Sequence, residues 1–183
     1  METDKLLYQR FLDGDQYAFE ELVLKNKDNL IYFLKRYVSD IFICEDIAQD
    51  VFAYIYVYKE KYNFKNSFKT YIYAIGRNKA VDYIRKYSRQ VLFSEENYQK
   101  TDEEELIEKV VKDEEVKLLH STIKKLKIDY QRAIHLIDFE EMSYKEAGVV
   151  MGKTVPQIKI LIFRARRTLK NLLEREEYTY EKR

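Results

Sequence analysis

The chain has 183 residues, with 33 Lys or Arg and 32 Asp or Glu, so its formal net charge is +1. Its 4 Gly, 1 Pro, 1 Cys and 2 His are too few for a hairpin-rich β fold, an internal disulfide or a Cys–His zinc site. No run of 18 apolar residues occurs and the first residues are polar and mixed in charge, so we expect a cytoplasmic all-α protein without signal peptide, membrane span, metal or cofactor.

Charge is distributed in alternating blocks along the chain. The net charge is −5 over 1–58, +7 over 59–93, −6 over 94–117 and +5 over 118–183. Two basic blocks separated by an acidic one are typical of a protein that holds a polyanion at two places. For any single block, solvated helix faces are the favoured explanation, so the blocks indicate binding surfaces only where motifs coincide with them.

Apolar periodicity predicts a series of helices in the first half of the chain. The elements expected are a helix from residue 4, a turn at 13–15, helices over 17–27, 30–38 and 44–58, a loop over 59–66, and a helix capped by Ser67 that runs to about residue 87. Thr3 or Asp4 is expected to cap the first helix, with Leu6, Leu7 and Phe11 on its buried face.

The second half begins with a segment of different composition. Residues 88–113 are acidic and poor in aliphatic side chains, which favours an inter-domain linker that is flexible in isolation. Four further helices are expected over 116–126, 130–139, 143–151 and 155–176. The sequence therefore predicts two small helical domains, at 1–91 and 113–183, joined by an acidic linker at 92–112.

The last two predicted helices have the pattern of a helix-turn-helix. Ser143 and Glu146 form a capping box, Gly152 suits the left-handed turn that ends a helix, Thr154 caps the next helix, and Pro156 lies in its first turn. The apolar stripe of that helix is Ile158, Leu161, Ile162, Ala165 and Leu169, and its outer face is basic, with Lys159, Arg164, Arg166, Arg167 and Lys170. A short helix, a tight turn and a longer basic helix are what docking in a DNA major groove requires.

The first basic block mixes cations with aromatic rings. Six tyrosines lie between residues 54 and 73, among lysines and arginines. Cations neutralise phosphates and rings stack on unpaired bases, so this mixture favours single-stranded or melted DNA over intact duplex. Most of the rings are expected in the core. The side chains predicted to be exposed are those of the loop, Tyr62, Asn63, Phe64 and Asn66.

Four motifs in order give the chain a family resemblance. They are DGD at 13–15 with AFEEL at 18–22, EDIAQDVF at 45–52, SFKTYIY at 67–73 with the basic residues at 77–86, and SYKEA at 143–147 with the helix-turn-helix that follows. In this order and spacing they resemble the sigma factors of bacterial RNA polymerase, in particular the extracytoplasmic-function (ECF) group. Leu161, Ile162 and Phe163 depart from the polar and basic residues often seen at these positions in the family.

The resemblance implies a transcription initiation factor that binds core RNA polymerase, directs it to specific promoters through their −10 and −35 elements, and promotes DNA melting. The residues implied for core polymerase binding are Asp46, Gln49, Asp50 and Phe52. Those implied for the −10 element are Lys61, Tyr62, Asn63, Phe64, Asn66, Lys69, Arg77, Asn78, Lys79, Arg85 and Lys86. Those implied for the −35 element are Thr154, Gln157, Lys159, Arg164, Arg166 and Arg167, with Leu161 as a further candidate. An anti-sigma factor is a further implied partner, and it would provide the chain's only contact with a membrane.

Three other classes of protein remain open on the sequence. A stand-alone helix-turn-helix regulator would bind duplex operator DNA without polymerase. It would leave without a role the loop aromatics and the acidic helix face, which consists of Asp46, Gln49 and Asp50 at positions i, i+3 and i+4 of one predicted helix. A helical adaptor leaves both basic blocks unexplained. A metal-dependent nuclease or recombinase would use clustered carboxylates. The acids available for it are Asp13, Asp15, Glu20, Glu21, Asp46 and Asp50, but no catalytic triad or phosphate loop accompanies them, so we expect no enzymatic activity.

Overall fold

The computed structural model describes the backbone of residues 2–91 and 114–180 and the side chains of 2–87 and 116–175. Over these residues the secondary structure is helical, without a strand. The helices are α1 (Asp4–Leu12), α2 (Gln16–Leu34), α3 (Ile41–Val57), α4 (Phe68–Val91), α5 (Glu114–Lys124), α6 (Ile128–Ile134), α7 (Tyr144–Met151) and α8 (Val155–Tyr180). A 3₁₀ turn at Lys59–Lys61 precedes α4, and a π-helical turn at His135–Phe139 follows α6. The all-α prediction is confirmed for the described residues.

The chain divides into two compact units, one built from α1 to α4 and a second that contains α5, α6 and α8. The predicted linker at 92–112 lies outside the described residues, so the domain boundaries at 91 and 113 stay predictions. Within the described residues, no helix is both long and apolar enough to cross a lipid bilayer.

Side-chain caps explain where the helices of the first unit begin. Thr3 caps α1, as one of two predicted candidates, and Asp15 caps α2. Asp40 accepts a hydrogen bond from the backbone N–H of Phe42 at 2.9 Å, so α3 begins at Ile41 and not at residue 44 as predicted. The hydroxyl of Ser67 accepts from the backbone N–H of Thr70 at 3.2 Å, which confirms the predicted cap of α4.

Helix α2 is one continuous helix, whereas the sequence pattern predicted two. Residues 26–29 are all polar, and the predicted break lies at 28–29 within them. However, Asn26 is buried and its amide donates to the carbonyl of Leu22 at 2.9 Å, while 27–29 face solvent. A polar run can therefore stay helical when its one inward side chain finds a partner within the helix.

The core of the first unit combines aliphatic side chains with a cluster of aromatic rings. Leu22, Leu34, Val51 and Ile72 are buried at its centre. The prediction for α1 was wrong in one residue, because Leu6 is 51% exposed and Tyr8 is fully buried in its place. Burial of a tyrosine is compatible with its chemistry only if the hydroxyl finds a partner.

In the second half of the chain, the capping box and the glycine turn predicted for the helix-turn-helix are confirmed. The hydroxyl of Ser143 accepts from the backbone N–H of Glu146 at 3.3 Å, and the carboxylate of Glu146 accepts from the backbone N–H of Ser143 at 3.0 Å. Gly152 ends α7 with φ of 64°, the left-handed conformation that glycine adopts without strain. Ile158, Ile162 and Ala165 of α8 are buried, as the apolar stripe predicted.

The helix expected over 130–139 begins earlier and ends differently. It starts at Ile128 and passes into the π turn, where the carbonyl of His135 accepts from the backbone N–H of Glu140 at 3.0 Å. His135 and Glu140 are both buried, with Nε2 3.6 Å from Oε1. The π turn thereby brings two polar side chains into the core, which a regular 3.6-residue period could not predict.

Candidate binding surfaces

An exposed acidic face runs along α3. Asp46, Gln49 and Asp50 are all exposed at the i, i+3 and i+4 positions, so they share one side of the helix as predicted. They line a groove of about 540 Å³ between α3 and α4. Asp82 and Tyr83 of α4 line the same groove, although neither was predicted to bind polymerase. The groove therefore presents three carboxylates.

Lys79 also lines this acidic groove. Its Nζ lies 3.1 Å from Oδ2 of Asp50. Lys79 was predicted to bind −10 DNA and Asp50 to bind polymerase, so the fold pairs residues from two predicted sites. Arg85, a second residue predicted to bind −10 DNA, lies 3.8 Å from Asp82. Both cations thus have an acidic neighbour, whereas the sequence blocks had indicated separate basic and acidic surfaces.

Phe52 lies away from the acidic face. It is buried and lines a second, apolar groove of about 510 Å³ between α2 and α3. Phe19, Val23, Ile31, Ala48 and Val57 are among the side chains that line it. Gln49 borders both grooves, so the acidic face and the apolar groove adjoin along α3.

The loop before α4 is only partly exposed. Asn63 and Lys65 face solvent, and Phe64 is half-buried. The prediction that Tyr62 is exposed is wrong, because only 6% of it is accessible and its hydroxyl donates to the carbonyl of Asn66 at 2.8 Å. Burial raises the pKa of Tyr62 to about 12. A ring held in this way cannot stack on a base without leaving the core.

The residues of α4 and the 3₁₀ turn that were predicted to bind −10 DNA differ in their exposure and in their neighbours. Asn78 and Arg85 lie seven residues apart on one exposed face of α4, and Arg77 donates to the side chain of Asn78 at 3.0 Å. Lys86 is exposed and Lys69 half-buried. Lys61 folds over the ring of Tyr58, with Nζ 4.2 Å from its centroid. The cation of Lys61 is therefore already stabilised by an aromatic face within the chain.

Helix α8 presents a mixed basic and apolar outer face. Lys159, Arg164 and Arg167 are exposed, as predicted. The sequence pattern missed that Ile160 and Phe163 lie on the same face, 53% and 66% exposed. Their positions, i and i+3, could have been read from the helical period, because both lie opposite the buried stripe.

Three other residues predicted to bind −35 DNA have structural partners. The backbone N–H of Thr154 donates to the side-chain oxygen of Gln157 at 2.8 Å, and the hydroxyl of Thr154 accepts from the backbone N–H of Gln157 at 3.4 Å. These two side chains therefore cap α8. Arg166 pairs with Asp138 of the π turn, which raises the pKa of its guanidinium. Within 2–91 and 114–180, no group of three or more His, Cys, Asp or Glu is arranged to hold a metal ion.

Comparisons with known proteins agree with this arrangement. Residues 22–90 match the model of Sigma-70 region 2, and residues 117–169 match that of Sigma-70, region 4. The chain is 30% identical to the RNA polymerase sigma-H factor of Pseudomonas aeruginosa, over 94% of this chain and 95% of that one. It is 28% identical to the ECF RNA polymerase sigma-E factor of Escherichia coli, again over 94% and 95%.

Solved structures show the same fold. The sigma factor RpoE in complex with the anti-sigma factor NepR, from Bartonella quintana, matches with a TM-score of 0.68 and 22% identity, over 85% of this chain and 96% of that one. CnrH in complex with the cytosolic domain of CnrY matches with a TM-score of 0.63 and 24% identity, over 94% and 98%.

The chain has a helical unit with one acidic helix face, followed by a helix-turn-helix, and the two parts match Sigma-70 region 2 and region 4. Together these features define a transcription initiation factor. The chain belongs to the sigma factors of bacterial RNA polymerase. Within that family it is a member of the ECF group. A stand-alone helix-turn-helix regulator is not favoured, because the family matches cover both halves of the chain.

Proposed function

We propose that this sigma factor docks on core RNA polymerase through the acidic face formed by Asp46, Gln49 and Asp50. The observation that supports it is the exposure of all three side chains on one side of α3, at the rim of a groove with a third carboxylate from Asp82. Opposite charge on the partner would speed association and fix its orientation. Phe52 contributes from the core of the unit, as part of the adjoining apolar groove.

The same unit recognises −10 DNA through a second set of residues. Exposed Asn63 and Lys65 present polar groups from the loop, and Arg77, Asn78, Arg85 and Lys86 supply donors and cations along α4. A base that leaves the stack costs a few kcal/mol, which a pocket with hydrogen bonds offsets. Tyr62 supports the loop from within, and Lys79 belongs to the acidic groove.

The second unit recognises the −35 element through the outer face of α8. Lys159, Arg164 and Arg167 supply positive charge for phosphates and donors for base edges. Ile160 and Phe163 lie among them and supply apolar contacts, which suit thymine methyl groups in the major groove. Thr154 and Gln157 fix the start of the helix.

The chain acts through binding and without catalysis of its own, and it acts in the cytoplasm, where core polymerase transcribes. In the matching structure from Bartonella quintana, the sigma factor RpoE is in complex with the anti-sigma factor NepR, and in the other structure CnrH is in complex with the cytosolic domain of CnrY. We infer an anti-sigma factor for this chain as well. Its contact with the polymerase-docking or DNA-binding faces would keep the chain inactive.

The test is co-elution with core polymerase combined with promoter binding. Asp46→Arg should lose co-elution while its thermal unfolding midpoint stays that of wild type. The matched control, Asp28→Arg, reverses an exposed charge on α2 and should bind core normally. The double variant Arg77→Ala/Arg85→Ala should co-elute with core but form no open complex. Normal co-elution of Asp46→Arg, or its loss in the control, would contradict the proposed docking face.

A further inference from the structure

We propose that α1 positions the −10 loop, residues 62–66, by hydrogen bonds to Lys59 and by packing of Tyr8 against the loop. The inference rests on the proposed role of this loop in −10 recognition. Helix α1 lies outside the residues that match Sigma-70 region 2, which begin at residue 22. It therefore contributes a positioning element from outside the matched region.

Lys59 is joined to α1 at both its backbone and its side chain. The hydroxyl of Tyr8 donates to the carbonyl of Lys59 at 2.8 Å. The ammonium of Lys59 donates to the carbonyl of Leu12 at 3.3 Å and lies 5.3 Å from the ring centroid of Phe11. Lys59 opens the 3₁₀ turn that leads directly into the −10 loop. These bonds therefore fix the point from which the loop departs.

The ring of Tyr8 also packs against the loop. It is fully buried, and its centroid lies 4.7 Å from that of Tyr62 and 5.8 Å from that of Phe64. Phe68, the first residue of α4, lies 5.4 Å away. One tyrosine of α1 thus contacts rings from the loop and from the helix that follows it. Its hydroxyl joins this ring cluster to the backbone of Lys59.

The loop that these contacts hold is strained. Phe64 has φ of 57°, a left-handed conformation that bulky residues rarely adopt and that persists only where the surroundings impose it. Beside it, the side chain of Asn63 accepts from the backbone N–H of Lys65 at 3.1 Å, which closes a tight turn. The exposed groups of Asn63 and Lys65 are thereby presented in one geometry. A site fixed before binding loses less conformational entropy when it captures a base.

Two variants break this link from opposite ends. Tyr8→Phe removes only the hydroxyl, and Lys59→Met removes only the charged end of a half-buried side chain. Tyr17→Phe is the matched control, because Tyr17 is 79% exposed on α2. Each variant is reconstituted with core polymerase and mixed with a promoter fragment that carries 2-aminopurine in turn at each −10 position. Fluorescence reports base extrusion, and substituted −10 bases report selectivity.

We expect Tyr8→Phe and Lys59→Met to reduce base capture and selectivity at one −10 position by roughly two- to tenfold. This is the change in equilibrium constant that the loss of one intramolecular hydrogen bond produces. Affinity for core should match that of Tyr17→Phe, and the thermal midpoint should fall by no more than the several degrees that the loss of one hydrogen bond produces in a small domain. Asn63→Ala serves as the reference for the loop itself. If Asn63→Ala leaves −10 selectivity unchanged, the proposed function of the loop fails. If Asn63→Ala lowers selectivity but Lys59→Met does not, the positioning role of α1 is overturned. The positioning role is also overturned if Tyr8→Phe and Lys59→Met both lose affinity for core polymerase in proportion to their loss of −10 selectivity.

Discussion

Lys79 on α4 and Asp50 on α3 form an ion pair, with the lysine Nζ 3.1 Å from the aspartate Oδ2. Lys79 is half-buried and Asp50 is exposed, so water screens the pair and its contribution to stability is small. Its consequence is electrostatic, because Lys79 neutralises part of the face proposed to bind polymerase. It also removes one cation from the set predicted to bind −10 DNA.

The first prediction concerns this cation. Lys79→Ala should bind core polymerase as tightly as wild type or up to about threefold more tightly at low salt, because the docking face becomes more acidic. Promoter binding by the resulting holoenzyme should change little. The control is Lys86→Ala, seven residues further along α4 and exposed, which should weaken promoter binding and leave core binding unchanged. Surface plasmon resonance with core, then with promoter DNA, separates the two effects. A loss of promoter binding in Lys79→Ala equal to that in Lys86→Ala would return Lys79 to the DNA surface.

The second prediction concerns phosphate contacts of α8. Each phosphate neutralised contributes a slope of roughly −0.9 to the dependence of log affinity on log salt. If all three side chains contact phosphates, the variant Lys159→Ala/Arg164→Ala/Arg167→Ala should reduce the magnitude of that slope by roughly 2.7, which is about 0.9 for each lost contact. The measurement is fluorescence anisotropy of holoenzyme on a labelled −35 duplex across a salt series. An unchanged slope would show that these side chains do not neutralise phosphates.

The third prediction concerns the apolar part of the same face. A buried methyl group contributes about 0.8 kcal/mol, roughly a fourfold change in affinity. Replacing one contacted −35 thymine by deoxyuridine, which lacks the methyl group, should weaken binding of wild type by about this factor. The same replacement should have no effect on Ile160→Ala/Phe163→Ala. Both side chains are largely exposed, so this variant should unfold at the wild-type temperature, as should the exposed control Leu24→Ala. An equal loss with deoxyuridine in wild type and variant would exclude the methyl contact.

The fourth prediction concerns the start of α7. Ser143→Ala removes a cap from the first helix of the helix-turn-helix, where the serine and Glu146 satisfy each other's backbone N–H groups. The expected cost is about 1 kcal/mol in the free energy of unfolding. Urea unfolding followed by circular dichroism measures it, with Ser39→Ala, an exposed serine of the first unit, as the control. Equal stability of Ser143→Ala and wild type would show that the capping box contributes nothing.

The fifth prediction concerns alkaline pH. Burial raises the pKa of Tyr62 from the ordinary 10.0 to about 12, so the folded state favours the protonated phenol. The stability linked to this proton is complete below pH 10 and is lost as the pH rises through 12. Tyr62→Phe should therefore lose less stability than wild type over this range, whereas Tyr17→Phe should behave as wild type. Unfolding followed by circular dichroism at a series of alkaline pH values tests this, and identical pH profiles for all three proteins would contradict it.

The sequence predicted helices, caps and the helix-turn-helix well because these depend on residues within one or two turns of each other. Ser143 with Glu146, Ser67 before α4 and the stripe from Ile158 to Ala165 all have their partners nearby in sequence. The family resemblance, carried by four local motifs, predicted the class of protein for the same reason.

The failures at Tyr62 and Lys79 share one physical cause, which is dependence on distant residues. Tyr62 looked exposed because it lies in a polar loop, yet it is covered by Tyr8, which lies more than fifty residues earlier. Lys79 looked like a DNA contact because its sequence neighbours are basic, yet α3 places Asp50 beside it. Neither pairing has a local signature, so only the packing of α1 and α3 against the loop and α4 could reveal it.

The most direct test of the account is run-off transcription with purified core polymerase from the source bacterium and a pool of its promoter fragments. With the wild-type chain we expect specific new transcripts that require both components. Asp46→Arg should produce none because it does not bind core, and Arg77→Ala/Arg85→Ala should produce none although it does. Wild-type transcription by both variants would contradict the assignment of these surfaces. No transcripts with the wild-type chain, and no co-elution with core, would contradict sigma activity itself.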